Sequence, residues 1–335
     1  MNSGRIYKLQ HFIPWTRKKI YYLIVISAIP TILYYFFELK WLAIPWVPVA
    51  LVGTATAFIA GFRNTQTYNR LWEARQIWGA IVNNSRTWGI LVKDMVRDTE
   101  VGAEKSLHRD LIYRHFAWLT ALRFQLRESR GWENVKTKSY NREYLNYYKV
   151  PEWEGSLAEE LQNYVTADEL EYILKKKNKA AQILALQSAR LRDLNQQGKI
   201  NDLNYVEMQA LLKELYDQQG KNERIKNFPY PRQFASINVM FVYLLSIVLP
   251  LGFLSEFAKI SANCVWFTIP ISVIVGWVFF TLEQVGESSE NPFEGSANDV
   301  PITSMSRAIE IDLRDMLGEE NLPEPLVANT NNILM

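Results

Sequence analysis

Thr54, Phe58 and Phe62 recur every four residues inside an apolar run, so on a helix they form one stripe. Such a stripe has two readings. Packed against neighbours or lipid, it is ordinary apolar surface, the commoner fate of the pattern. Repeated around an axis, it makes an apolar constriction that can gate by dewetting. Phenylalanine ring edges carry partial positive charge, so edges turned inward would tolerate an anion. The runs long enough to cross a bilayer hold no charge, so any ion filter inside them must be apolar or hydroxyl-based.

Little else in the chain is arranged for chemistry. There is no Gly-rich phosphate loop, no Gly-x-Ser-x-Gly and no His-Glu-x-x-His. Of the histidines His11, His108 and His115, the last two stand seven apart and can share a helix face, but they read as core or surface residues. The single cysteine, Cys264, leaves no internal disulfide or multi-thiolate metal site and reads as a small apolar residue of a span. A formal net charge of +2 gives no single-signed field to attract nucleic acid. The reading is therefore not an enzyme, with no cofactor, no metal and no nucleic-acid partner.

The elements that must position the stripe are long. The uncharged windows Ile20–Phe37, Trp41–Phe62, Gln233–Ser255 and Ile260–Leu282 hold 18, 22, 23 and 23 residues. A helix needs about 20 mostly apolar residues to cross the hydrocarbon core. Each window is flanked by charge, at Lys19, Glu38, Lys40, Arg63, Arg232, Glu256, Lys259 and Glu283. The first is too long for a signal peptide and is followed by no small-x-small cleavage site at Phe36-Phe37-Glu38. A mean hydropathy of −0.13 averages this segregation away. In the second window Gly53, Ala55, Ala57, Ala60 and Gly61 would let helices approach closely.

Residues 1–19 carry Arg5, Lys8, Arg17, Lys18 and Lys19 and no acid, which places that end in the cytoplasm. The short links Glu38-Leu39-Lys40 and Glu256–Lys259 then lie outside, and both termini with the middle segment lie inside. The middle segment reads as helix at Leu71–Val96, Leu107–Leu126, Ser156–Leu161, Ala167–Leu174, Ala180–Asn195 and Asn201–Gln218. Pro301–Leu317 is a further amphipathic helix, with Asn298 and Asp299 as candidate caps, and the tail from Asn321 is either disordered or laid on a partner. The fold class expected is all-α: four membrane helices and a helical cytosolic region. Its boundaries fall at residues 1–62, 63–232, 233–286 and 287–335.

From Gly61 the chain reads GFRNTQTYNRLWEARQIWGAIVNNSR, and from Gly286 to Ile302 it reads GESSENPFEGSANDVPI. Both blocks resemble the signatures after the second and fourth spans of the bestrophin family, and the order of spans matches along nearly the whole chain. The resemblance implies a homo-pentameric channel in the bacterial inner membrane, each subunit giving its second helix to an apolar neck. It puts the neck on Thr54, Phe58 and Phe62, and a second, cytosolic constriction on Tyr230. Thr54 replaces the larger apolar residue usual there, which implies a wider and wetter level. The calcium-binding acids of animal members are reduced to Glu294 and Asp299, too few for a hard cation. Chloride or another monovalent anion is the permeant ion this favours. A monovalent-cation channel of the same architecture, and a membrane-anchored scaffold or sensor without flux, are the alternatives.

Overall fold

The computed structural model describes residues 1–98 and 103–335. Twelve α-helices lie among the described residues. The first part holds α1 (Leu9–Phe36), α2 (Trp46–Met95) and α3 (Ala103–Arg127). Four short helices follow: α4 (Ser139–Tyr144), α5 (Pro151–Glu154), α6 (Leu157–Leu161) and α7 (Ala167–Leu174). Then come α8 (Lys179–Gln196), α9 (Asp202–Asn227), α10 (Arg232–Ile260), α11 (Thr268–Ser288) and α12 (Ile302–Met316). The one β feature among the described residues is an isolated bridge, Asn2 to Ile333.

Four helical segments are long and apolar enough to cross a membrane: Leu9–Phe36, Lys40–Met95, Arg232–Ile260 and Asn263–Ser288. The first two are joined by a tight turn in which Glu38 takes φ 53°. α2 has 50 residues, about 75 Å at 1.5 Å per residue, and leaves the apolar layer without a break. α1 begins eleven residues before its uncharged window because Phe12 and Trp15 find aromatic partners in Trp277 and Tyr140. The cations at its bilayer edge are also satisfied, since Glu143 accepts from Arg17 and Lys18, both at 2.7 Å.

Among the spans, Leu23, Val242 and Phe280 form one buried cluster and Val49, Leu245 and Leu249 another. The close approaches run through glycines outside α2. A Cβ on Gly252 would lie 2.9 Å from Val49, and one on Gly276 2.5 Å from Leu23. On α2, Gly61 has nothing within 4 Å, while Ala60 is buried against the rest of the subunit.

Outside the spans, α3, α8, α9 and α12 gather around the lower half of α2. Trp78, Trp88, Trp118, Leu122 and Leu191 are buried at their centre. Local caps set the starts. Thr166 and Glu169 form a capping box at α7, Asn178 accepts from Ala181 N at 3.0 Å, and Asn201 accepts from Asn204 N at 2.8 Å. α12 departs from expectation. Pro301 is its N-cap and no side chain caps it, because Asp299 accepts from Arg127 (2.8 Å) and Gly295 N (2.6 Å), while Asn298 accepts from Tyr7. The tail is laid on its own subunit. Asn329 and Asn331 donate to the Tyr147 carbonyl, and Leu334 N donates to Met1 O. Cys264 lies in the 3-10 turn Asn263–Phe267 that opens the fourth apolar segment ahead of α11.

Candidate functional site

The stripe on α2 faces open space. Thr54 is exposed, Phe58 is 76% exposed and Phe62 is 44% exposed. The Thr54 hydroxyl is turned back onto the helix, donating to the Ala50 carbonyl at 2.9 Å. Thr54 and Phe62 are eight residues apart, about 12 Å along the axis. The same face stays exposed below Phe62 at Thr65, Asn69, Trp72, Gln76, Asn83 and Thr87, and none of these carries a charge. The opposite face is closed: Thr56, Ala60, Arg63 and Thr67 are buried against the rest of the subunit.

Directly behind Phe62 stands a buried ion cluster. Arg63 donates to Glu283 at 3.0 Å and to Glu290 at 3.1 Å. Glu290 also pairs with Arg232, the first residue of α10, at 3.0 Å. Glu287 pairs with Lys138 at 2.7 Å. Burial raises the Glu290 carboxyl above the usual carboxylate range, partly offset by Arg232 and Arg63. Charges in such surroundings persist only when each has a partner, which is what the cluster supplies. In sequence Arg63, Arg232 and Glu283 read only as markers of where spans end. Their opposite signs on one side of the bilayer were the signal that they could meet.

Tyr230 does not reach open space. It is 6% exposed and its ring lies 6.0 Å from the Arg63 guanidinium carbon, so it packs the cluster. Within the single subunit the ring is therefore closed off from the face that carries Thr54, Phe58 and Phe62. Arg70, the next basic residue of α2, is likewise turned from the stripe and donates to the carbonyls of Ile225 and Phe228.

The remaining candidates are structural. His115 bonds Ser85 Oγ at 2.9 Å between two tryptophans, and burial lowers its pKa to about 3. His108 contacts the Val96 carbonyl at 2.8 Å. Glu294 accepts from Asn134 N at 2.7 Å, and Asp299 is occupied by Arg127. Among the described residues no three His, Cys, Asp or Glu side chains group as metal ligands.

A long helix with an exposed uncharged stripe, packed on three further spans, is the architecture to compare with known proteins. The family model for the bacterial and fungal bestrophin proteins matches residues 11–315. The chain belongs to the bestrophin family. The voltage-dependent anion channel-forming protein YneE of Salmonella typhi is 28% identical over 276 residues, covering 82% of this chain and 78% of that one. The voltage-dependent anion channel-forming protein RSc3414 of Ralstonia nicotianae is 25% identical over 281 residues, 84% and 80% of the two chains. A crystal structure of a bacterial bestrophin homologue from Klebsiella pneumoniae superposes with a TM-score of 0.74 at 25% identity, covering 90% of this chain and 98% of that one. This bestrophin is thus a multi-pass membrane protein, and family and fold point to a channel rather than an enzyme.

Proposed function

We propose that the protein is a passive channel for chloride and other monovalent anions, formed by five copies around one axis. One observation carries the reading: the exposed stripe Thr54, Phe58 and Phe62 of α2, with both phenylalanines outward and the adjoining cation Arg63 turned inward. Repeated around an axis, the stripe supplies an apolar neck at Thr54, Phe58 and Phe62, with Arg75 beside Trp72 on the path below it. The naming of relatives as anion channel-forming proteins supports the choice of ion. The basic first nineteen residues support an inner-membrane orientation with both termini cytoplasmic.

The second narrow level belongs on exposed apolar side chains far from the neck. Leu203 is 83% exposed, at the start of α9. That turn lies beside the far end of α2, where Arg97 N donates to Lys199 O at 3.0 Å. We assign a distal narrow level to Leu203, beside the constriction that the resemblance puts on Tyr230.

The test is a planar bilayer holding the purified full-length protein under a chloride-salt gradient. A reversal potential near the chloride equilibrium value is expected. A value near the cation's overturns the anion assignment, and an absence of current overturns the channel in favour of a scaffold.

A further inference from the structure

Glu290 ties together Arg63 of α2 and Arg232 at the start of α10. Its Oε2 accepts from Arg63, the residue after Phe62, and its Oε1 pairs with Arg232. Two residues beyond Arg232, the Phe234 ring lies 6.1 Å from the Phe62 ring. One buried carboxylate therefore fixes both the helix that carries Phe62 and the helix that carries the ring beside it.

Residues 62 and 63 are about 100° apart on α2, so a turn of the helix that frees Arg63 also swings Phe62. α2 contains no proline between Pro48 and Met95 to absorb such a turn locally.

We infer that Glu290 is a positioning residue for Phe62, and that neutralising its carboxylate releases the ring and widens the path at that level. The inference rests on the reading of Phe62 as part of the neck. Loss of the charge leaves buried Arg63 with Glu283 alone and Arg232 with only the Trp132 carbonyl, so no shared carboxylate clamps α2 to the start of α10.

A proton is the natural agent. Glu290 is buried and takes up a proton at a higher pH than an exposed carboxylate. Facing it are Arg63 and Arg70 from α2, Arg232 from α10, and Glu283 and Glu287 from α11, with Lys138 held on Glu287 and the Tyr230 ring over Arg63. Arginine and lysine stay charged through the acid range and oppose protonation, while burial and the neighbouring glutamates favour it. The channel then opens wider on the acid side.

The experiment is single-channel recording of the full-length protein in symmetric salt between pH 7.5 and 5, on wild type, Glu290→Gln, Phe62→Ala and, as control, the exposed Glu171→Gln. Wild-type conductance is expected to rise on acidification. Glu290→Gln, which keeps the shape and drops the charge, is expected to be high at neutral pH and flat across the range. Glu171→Gln is expected to follow wild type. A structural role alone would lower assembly without producing a pH profile that Glu290→Gln abolishes. The inference is overturned if wild type is flat, or if Glu290→Gln titrates as wild type does, while Phe62→Ala still raises conductance. If Phe62→Ala has no effect either, the neck reading fails instead. Should Glu290→Gln not assemble, the wild-type titration alone decides, a flat profile being the overturning result.

Discussion

Phe62 and Arg63 are consecutive residues of one helix, yet the first is open to space and the second is 3% exposed between two carboxylates. This pairing sets the character of the stripe. Arg63, the charge next to Phe62 on α2, is turned into the subunit and neutralised there, so the proposed neck presents rings and a hydroxyl. Phe58→Ala and Phe62→Ala should raise single-channel conductance. Thr54→Leu, adding apolar bulk at the wettest level, should lower it. Because Phe58 packs little within its subunit, Phe58→Ala should change subunit stability by no more than about 0.5 kcal/mol. Unchanged conductance in all three variants would remove the stripe from the ion path.

Burial gives two groups opposite responses to pH. Asp299 is pushed up to about 6, chiefly by burial against the opposing pull of Arg127. A raised carboxyl stabilises the fold at acid pH, and that contribution is lost as pH rises through about 6. His115 is pushed down to about 3 by burial, so its contribution is present above its ordinary value and is lost as pH falls. Melting at pH 5 and pH 7 should therefore separate the variants. Asp299→Asn keeps only the histidine's acid loss and should fall further than wild type on acidification, whereas His115→Gln should fall less. Identical slopes for all three would contradict the assignment of these two groups.

The four windows were legible because length without charge is a strong signal and the bilayer imposes it. The amphipathic run at Pro301–Leu317 was also legible, as helix α12. What escaped were partnerships between distant residues. Nothing local in the sequence shows that Arg127 captures Asp299 across 172 positions, and that capture is why Asp299 caps nothing. The packing of the Tyr230 ring against Arg63 was likewise hidden, since 167 positions separate the two. Charges at Lys18 and Lys19 mark an edge of the bilayer, and an edge of the bilayer need not end a helix.

Gly295 should tolerate no side chain. Its φ of +89° lies where L-residues are strained, and an added Cβ would stand 2.5 Å from the Trp153 ring. Trp153 cannot readily yield, because its indole donates to the Arg127 carbonyl at 3.2 Å and Lys136 lies 3.7 Å from the centre of its ring. Gly295→Ala should cost at least about 1–3 kcal/mol from backbone strain alone. A thermal melt in detergent checks it. A midpoint equal to wild type would mean that the loop after α11 is not held in this conformation.

Gly276 on α11 and Leu23 on α1 make the closest inter-helix approach in the apolar layer that can be tested by exchange. A Cβ on Gly276 would lie 2.5 Å from Leu23 Cδ2, and Leu23 is buried, so it has no free space to turn into. Gly276→Ala should destabilise by about 1–3 kcal/mol through overpacking. Leu23→Ala should also destabilise, by about 2–5 kcal/mol, because it leaves a cavity. Combined, the new methyl occupies part of the space the leucine vacates, so the double variant should lie above the sum of the two losses. A double-mutant cycle on melting or on retention of the assembled form measures that coupling. Strict additivity would mean that α1 and α11 do not pack through this pair.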